Sequence, residues 1–547
     1  MQDRAHWIEA LWSISLVLIV FGVFSGAFDN GFVNWDDGRY IVHNPLVAAP
    51  GEHSWRERVL TPELGYPVPL PVWVYGWLWT SIDQALLFHV VSVTVHAANV
   101  WMLGVLIRRG GARRGVAWIG ALAFGLHPMV VEPVAWATGL KDLLLLAGAL
   151  WALLLLPRRP VAAVAGVAVA LLSKPSSVFL GFALAAFVWR RGAGRVQWLA
   201  VGVATIAGVT WGGIAAWTEP AHLRTTGGQG LSLFRVAGAL GVQAQHVVVP
   251  ASLAARYPDT ALRPIDAVVG AMVAGAVAWA LWSWHTEKSQ RFAWTVFGVA
   301  LYLPVSNLYP LRRFTADSYA YGPWASLVVV TCIAFVRHEE RIRRISWRLG
   351  SALRWLPRFV IVAWALLTHL QVETWRSTST LWAWAAQRYP DDGESIYRYG
   401  DALSREGDAR GALELYLSHL PALEASPRIP GGLIRWYEHQ GDWERVAVWY
   451  RRAFSSAVRQ TDDVYAGYLR YLALDPLRHR AEEDAVLWYA WSRYLDGTLS
   501  VALSQTQRRA LERVWAESLA RDAVKTSPPT DARTRGSRDG TRVEVPR

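Results

Sequence analysis

The chain has 547 residues and a mass of 60.9 kDa; 53% of its residues are hydrophobic and its mean hydropathy is +0.19. This composition argues against a set of soluble domains and indicates a polytopic membrane protein. The formal net charge of +12 does not indicate nucleic-acid binding, because much of the arginine excess lies in short clusters between apolar runs, as at Arg108 to Arg114, where such clusters set topology. The single cysteine, Cys332, excludes an intrachain disulfide and a zinc site built from several cysteines.

The apolar runs predict an all-α bundle of about eleven membrane-spanning helices, since one span needs about 20 apolar residues. The first run, Leu11 to Phe28, lacks a small-x-small cleavage site before Asp29 and predicts a retained anchor. The predicted spans start near Ile8, Ala85, Gly115, Leu143, Val161, Ser177, Val196, Ala267, Phe292, Pro323 and Leu356.

The run that starts at Phe234 is ambiguous. It contains polar residues such as Arg235 and His246, and the basic clusters on either side of it share the cytoplasmic side only if it does not cross. We therefore predict an amphipathic helix near 234–252 that lies at the interface or re-enters. The same parity leaves the N-terminus in the cytoplasm and predicts an external loop at 29–84.

The C-terminal part has the pattern of a soluble helical domain. The turn Gly407-Asp408 recurs 34 residues later as Gly441-Asp442, which is the period of the tetratricopeptide repeat. Tetratricopeptide spacing is also present at Gly400, Leu403, Ala412 and Tyr416. The predicted division is a transmembrane domain at 1–373, a short array of tetratricopeptide-like α-hairpins on the external side at 374–520, and a disordered tail at 521–547.

The segment "GFVNWDDGRYIVHNPLV" places Asp36 beside Asp37 close to a predicted membrane boundary. Adjacent carboxylates in a loop are most often solvated. Here, however, Trp35, Tyr40 and the turn at Asn44 indicate a structured loop, which can raise the pKa of a carboxyl group and fix its direction, as a general base requires.

A second group of polar residues lies in "GLHPMVVEPVAWATGLKDLL". His127 ends one predicted span, and Glu132, Lys141 and Asp142 occupy the predicted loop before the next span. Glu132 stands among apolar residues, where an unpaired charge is costly. We therefore expect it to have a cationic or hydrogen-bonding partner.

Three basic residues are predicted on the outer side of the membrane, against the usual bias of positive charge toward the cytoplasm. They are Lys174 in "LLSKPSSV" and Arg312 and Arg313 in "NLYPLRRFTADSYAYGP". This placement favours an anionic ligand, such as a phosphate, over a topology signal.

We predict no metal site. His89 and His96 share one helix face with Asn99 nearby, but interhelical hydrogen bonds are the favoured interpretation of this group. Asp36 and Asp37 would hold a divalent ion only with water and further ligands, so metal dependence is possible in principle but not favoured.

Seven blocks along the chain carry a family resemblance. In order, they are "FVNWDDGRYIVHNPLV", "YPVPLPVW", "HVVSVTVHAAN", "GLHPMVVEPVAW" followed by "KDLL", "LLSKPSSV", "VVVPASLAARYP" and "RRFTADSYAYGP". Over roughly residues 8 to 420 the chain resembles the transmembrane and tetratricopeptide-repeat glycosyltransferase-like proteins, which are similar to protein O-mannosyltransferases of the GT-C superfamily.

This resemblance implies a membrane-embedded, inverting transferase that takes a sugar from a polyprenyl or dolichyl phosphate, without a metal, to a hydroxyl group of protein Ser or Thr. It implies that Asp36 or Asp37 is the catalytic base. It also implies that Lys174 and Arg312 or Arg313 stabilise the phosphate as it leaves. The chemistry would face the bacterial periplasm, or the endoplasmic reticulum lumen in a eukaryote.

Further substrate contacts follow from the same resemblance. They would come from His127 and Glu132, which would orient the acceptor or the base, and from Asp317 and Tyr319. Two departures stand out: Gly139 and Leu140 replace a Glu-Arg pair of the family, and the family's "ADRY" is "ADSY" here. These departures leave open altered donor specificity, a substituting arginine or an inactive relative.

A different class of function also fits the sequence. The chain could be a non-catalytic membrane scaffold whose repeats recruit envelope proteins. A transporter is a weaker third possibility, because the polar motifs are predicted on one side of the membrane. In each case we expect membrane lipid and protein as partners, and no nucleic acid.

Overall fold

The computed structural model describes residues 2–79, 84–218, 231–286, 289–309, 311, 313–345, 347–426, 428–455, 460, 462–480 and 483–526. Within these residues the secondary structure is helical, with no β-strand and one isolated bridge between Glu63 and Tyr66. The predicted all-α class is therefore confirmed. The chain divides into two compact units, Met1–Ala402 and Leu403–Arg547.

The main helices of the first unit follow each other with short helical turns between them. They are α1 (Gln2–Val23), α2 (Pro69–Trp79), α3 (Gln84–Arg109), α4 (Arg114–Gly125), α5 (Leu140–Leu155), α6 (Pro160–Ser173), α7 (Leu180–Arg191), α8 (Arg195–Thr218), α9 (Leu233–Val248), α10 (Pro264–His285), α11 (Gln290–Tyr302), α12 (Tyr321–Ile345), α13 (Trp347–Val372), α14 (Thr378–Arg388) and α15 (Gly393–Arg405). The short turns near the site are Gly38–Val42, Pro45–Ala48, Trp55–Leu60, Pro128–Val130, Val131–Ala135, Ala137–Gly139, Pro175–Ser177 and Asp317–Ala320.

Several of these helices are long and apolar enough to cross a membrane. In the described part of the chain there are six, and α4 together with Pro128–Ala135 forms a further pair bent by 55°. Trp7–Val23 and Pro160–Ser173 are apolar but shorter, while α7 and α11, at two other predicted spans, have 12 and 13 residues. The protein is thus a helical membrane protein, and the count of eleven crossings stays a prediction.

Helices α5 and α6 touch at their backbones, and this contact fixes one part of the site. A Cβ atom added at Gly148 of α5 would overlap the carbonyl oxygen of Gly166 in α6, and one added at Gly166 would overlap the backbone of α5. Only glycine permits this approach, which is a common way for membrane helices to pack. It holds the start of α5 beside Lys174, which follows the end of α6.

The polar residues and the basic clusters lie at opposite ends of α5. At one end, the Arg109 guanidinium donates a hydrogen bond to the Leu154 carbonyl at 2.8 Å. At the other end, the Lys174 ammonium is 2.7 Å from the Asp142 carboxylate. Leu154 lies twelve positions after Asp142 in the helix, which is about 18 Å along the axis. The sidedness of the two ends in a membrane stays a prediction.

The histidines of α3 behave as packing residues. His96 is buried, with Nδ1 2.7 Å from the Tyr321 hydroxyl and Nε2 3.0 Å from the Gly125 carbonyl. Asn99 donates to the Tyr321 hydroxyl and to the Leu143 carbonyl. The predicted interhelical hydrogen bonds are therefore confirmed for His96 and Asn99.

The second unit contains pairs of short helices. They are α16 (Ala409–Ser418), Leu420–Ala425, α17 (Gly431–His439), α18 (Trp443–Ser455), α19 (Asp462–Leu474), α20 (Asp484–Leu495) and α21 (Gln505–Thr526). Gly407 and Gly441 have φ values of +94° and +70°, and the Asp that follows each of them accepts a backbone N–H three residues on. The two turns thus share one local conformation, while a tetratricopeptide array stays a prediction. Helix α21 continues past the predicted boundary at 520, and the rest of the predicted tail, 527–547, lies outside the described residues.

Candidate active site

The two adjacent aspartates of the first loop lie in different surroundings. Asp37 is fully buried and accepts hydrogen bonds from the Val33 N–H at 2.9 Å, from the Thr138 N–H at 3.1 Å and from the Thr138 hydroxyl. These bonds tie the loop to the turn Ala137–Gly139. The Asp36 side chain, in contrast, is 26% exposed. Asp36 is therefore the carboxylate that a substrate can reach, and Asp37 anchors the loop.

Burial raises the pKa of two carboxyl groups in the first loop. It raises the pKa of Asp37 from 3.8 to about 6, against the opposing effect of the hydrogen bonds from Thr138 and Val33. In the same loop, burial raises the pKa of Glu63 to about 7, although Asn44 donates a hydrogen bond to it at 3.0 Å. Both groups cost stability when they ionise in the folded protein.

We expect the detergent-solubilised protein to become less stable as the pH rises through the pKa of Asp37. Because the folded pKa lies above the unfolded value of 3.8, the favourable contribution is complete below the unfolded pKa and is lost as the pH rises through about 6. In the wild type this loss should amount to about 2–3 kcal/mol of unfolding free energy. In Asp37→Asn that part of the pH dependence should be absent.

The measurement is the unfolding free energy across this pH range for the wild type and Asp37→Asn. Glu63 titrates over an overlapping range, so Glu63→Gln serves as the control: it should remove its own part of the slope and retain that of Asp37. An unaltered slope in Asp37→Asn would show that the carboxyl group is not buried as described.

Lys141 faces Asp36 from the first turn of α5. Its Nζ is 4.0 Å from the Asp36 carboxylate and stands over the rings of Tyr40 and Trp136, at 4.2 and 5.1 Å from their centroids. The prediction of a loop at Lys141 and Asp142 was wrong: both belong to the helix, because two aromatic faces and carboxylates accommodate the buried ammonium group. A separation of 4.0 Å is too long for a direct hydrogen bond, so the two groups attract each other only through their charges.

Lys174 forms an ion pair with Asp142. The two side chains are each 8% exposed, and their N–O distance is 2.7 Å. Nζ of Lys174 also lies 5.4 Å from the centroid of the Tyr319 ring. Both residues line a narrow cleft of about 20 Å³, together with Ser318 and Tyr319. Among the described residues, Oδ2 of Asp142 is buried without a hydrogen-bond partner, so it can accept a hydrogen bond from a ligand.

Glu132 has the partner that its apolar setting predicted. The Arg313 guanidinium donates two hydrogen bonds to its carboxylate, at 2.8 and 2.9 Å, and the Ser318 hydroxyl and the Asp317 N–H donate two more. This prediction is confirmed. Arg313 also lies over the Trp35 ring, 5.5 Å from its centroid, which brings it to the loop of Asp36. The other predicted arginine, Arg312, lies outside the described residues.

His127 is used inside the protein. The ring is fully buried, Nδ1 accepts a hydrogen bond from the Met129 N–H at 3.1 Å, and Nε2 is 3.1 Å from the Val247 carbonyl. The Trp324 and Trp364 rings lie against it, with centroids 4.7 and 4.4 Å away. With both nitrogens engaged, His127 stabilises the bend after α4, and the geometry does not favour the predicted contact with a substrate.

Asp317 connects the site to α9. It accepts a hydrogen bond from the Tyr257 hydroxyl at 2.8 Å, and Nδ1 of His246 lies 3.5 Å away. Gln243, also on α9, donates to the Thr315 hydroxyl at 2.9 Å. The ambiguous run thus forms a 16-residue helix that contributes polar side chains to the site; whether it lies at the membrane interface stays a prediction.

Sequence reasoning missed several site residues. Lys141, Asp142 and Tyr40 were not predicted to act, and neither was Tyr66, whose pKa is raised by burial and further by the carboxylates of Asp142 and Asp36. Tyr66 therefore lies near both ion pairs. One signal was present: two opposite charges open the strongly apolar helix "LKDLLLLAGALWALLL", where charged residues normally mark a function.

The site as a whole contains alternating charges at one end of the bundle. Its ion pairs are Asp36 with Lys141, Asp142 with Lys174 and Glu132 with Arg313. No group of three metal-binding side chains occurs among the described residues. The arrangement can accept a proton at Asp36 and stabilise an anion at the lysines.

Comparison with known proteins adds nothing to this geometry: no protein-family model matches the chain, and neither the curated proteins nor the solved structures gave a match. The resemblance described above therefore stays a prediction, and the assignment of a function depends on the site.

Proposed function

We propose that the protein is an inverting membrane glycosyltransferase. It moves a sugar from a polyprenyl or dolichyl phosphate to a hydroxyl group, with protein Ser or Thr as the expected acceptor. The observation that supports this best is the part-exposed Asp36 facing the Lys141 ammonium across 4.0 Å, because a general base needs access to its proton donor and a fixed orientation.

In the proposed reaction Asp36 accepts the proton of the acceptor hydroxyl group. The hydroxyl oxygen forms a bond to the anomeric carbon from the face opposite the phosphate, and the bond between that carbon and the phosphate oxygen breaks. The phosphate leaves with the electron pair. Lys141 is a positioning residue, since its ammonium group lies 4.0 Å from the Asp36 carboxylate and attracts it.

Lys174 is the proposed contact for the leaving phosphate. It is already held in place by Asp142, so the positive charge is preorganised where negative charge develops. A phosphate oxygen would share the ammonium group with Asp142. Arg313, held by Glu132, would add longer-range positive charge.

The wider arrangement belongs to the same proposal. About eleven crossings, several of them by short helices, would place the site on the periplasmic or luminal face. The helical pairs of the second unit would be a short tetratricopeptide array that presents the acceptor.

A scaffold is the second candidate, and one observation favours it. Each of the three described cations of the site already has a carboxylate partner in the structure. A site whose charges are fully paired needs no ligand for its stability. The scaffold would bind envelope proteins through the second unit and would turn over no sugar donor.

Turnover of the donor tests the proposal without knowledge of the acceptor. The protein is reconstituted in nanodiscs with a panel of polyprenyl-phosphate hexoses, and release of polyprenyl phosphate is measured with water or a peptide mixture as acceptor. We expect release by the wild type and a loss of about a hundredfold or more in Asp142→Asn/Lys174→Met, which removes the ion pair without leaving an unpaired charge.

The matched control is Arg158→Gln/Arg159→Gln, which changes two exposed basic residues in another basic cluster and should retain full turnover. A wild type that folds but releases no polyprenyl phosphate from any donor would reject the transferase and favour the scaffold.

A further inference from the structure

A groove lies at the basic end of the bundle, between α1, α3 and α4. Its volume is about 250 Å³. Its lining includes three tryptophans, two arginines and one glutamate: Trp12, Trp101, Trp118, Arg108, Arg114 and Glu9. We call it the tryptophan–arginine groove, and no step of the proposed transfer uses it.

The charge of this groove is not balanced. Oε1 of Glu9 accepts hydrogen bonds from Arg114 at 2.7 and 3.1 Å and from Arg108 at 3.4 Å. Arg109 also lines the groove and donates to the Leu154 carbonyl. The described lining residues therefore include three guanidinium groups and one carboxylate, which two of them share, and the groove attracts anions.

The aromatic residues of the groove are of the kind that concentrates near lipid headgroups. Trp12 and Trp118 pack edge to face, with ring centroids 5.0 Å apart, and the Trp101 indole N–H donates to the Ser13 hydroxyl at 3.2 Å. Trp101 is 41% exposed. Tryptophan concentrates at the level of lipid headgroups, where one part of the ring is apolar and the N–H is polar.

The groove becomes less polar away from the arginines. On α1, Trp12 and Leu16 follow Glu9 on the face that lines the groove, and on α3 Trp101 lies about two turns before Arg108. The exposed residues Trp7, Leu11, Ile14 and Leu18 lie on the opposite face of α1 and do not line the groove. Cations and tryptophan rings thus follow each other in the order of the headgroup and the glycerol region of a phospholipid.

We propose that the tryptophan–arginine groove binds an anionic phospholipid, with its phosphate at Arg108 and Arg114 and its glycerol region beside Trp12, Trp101 and Trp118. The excess positive charge selects an anionic headgroup over a zwitterionic one. A second copy of the chain is the less suitable occupant, because a symmetric contact at this groove would bring the arginines of both copies together.

The test uses the full-length protein in a neutral detergent. Phosphatidylglycerol and phosphatidylcholine with the same acyl chains are titrated separately, and the shift in Tm and the apparent Kd are measured. We expect phosphatidylglycerol to raise the Tm and to bind Arg108→Gln/Arg114→Gln about tenfold or more weakly than the wild type. The matched control Arg158→Gln/Arg159→Gln has the same net charge and should bind like the wild type.

Four outcomes would overturn the proposal. The first is that lipid binding is weakened equally in both double variants. The second and third are that phosphatidylcholine, or inorganic phosphate alone, shifts the Tm as much as phosphatidylglycerol does. The fourth is that Arg108→Gln/Arg114→Gln changes the oligomeric state while it still binds the lipid. If that variant does not fold, a phosphatidylglycerol with a photoreactive headgroup is cross-linked to the wild type. Label on the peptides around Trp12, Trp101 and Arg114 supports the site, and label confined to other helices rejects it.

Discussion

Asp36→Asn is expected to lower the kcat of sugar transfer by about a hundredfold to ten-thousandfold. The amide cannot accept the proton of the acceptor, while the loop stays anchored by Asp37 through Val33 and Thr138. Since Asp36 does not contact the proposed phosphate position, the KM for the polyprenyl-phosphate donor should change little. The measurement is release of polyprenyl phosphate as a function of donor concentration.

Two further variants make this result interpretable. Asp29→Asn changes an exposed carboxylate at the start of the same loop and should leave kcat unaltered. Asp37→Asn should act on stability and its pH dependence more than on kcat. The assignment of the base fails if Asp36→Asn turns over normally while folded Asp37→Asn does not.

Glu132→Ala is expected to lower the unfolding free energy by about 3–5 kcal/mol, because it leaves the Arg313 guanidinium buried without its counter-ion. The Glu132 side chain is 1% exposed, and that of Arg313 is 16% exposed. Arg313→Met should cost a similar amount for the same reason. The double variant Glu132→Ala/Arg313→Met should cost clearly less than the sum of the two single changes.

Denaturant or thermal unfolding in detergent provides the measurement. Glu373→Ala is the control within the same unit: its partner Arg376 lies 3.5 Å away and both side chains are more than half exposed, so the expected loss is below about 1 kcal/mol. Additive losses in the double variant would mean that Glu132 and Arg313 are not coupled as the structure describes.

The sequence was sufficient for the fold class and for the kind of partner that Glu132 needs, because both follow from the cost of charge in apolar surroundings. It could not identify that partner, since Arg313 is 181 residues away. It also could not tell which of Asp36 and Asp37 is accessible, because Asp37 is held by a hydrogen bond from Thr138, 101 residues further along the chain. Local patterns do not contain such tertiary contacts.

Helix boundaries were the least predictable feature. Lys141 and Asp142 suggested a loop, yet Tyr40 and Lys174 accommodate their charges and allow the helix to begin at Leu140. The apolar run after Ser177 suggested a full span, yet α7 starts only at Leu180 and ends before Gly192, whose φ of +60° terminates it. In both places the packing of the unit decides where the helix begins or ends.

Short helices surround the candidate site. Helix α6 has 14 residues, a length of about 21 Å, whereas the hydrocarbon layer of a bilayer is about 30 Å thick. If α6 crosses the membrane as predicted, the bilayer must become thinner around it, or the charged end of this helix must lie below the headgroup layer. In either case, under the proposed function, Lys174 would contact the phosphate of a membrane-anchored donor while the isoprenoid chain of that donor remained among the lipids.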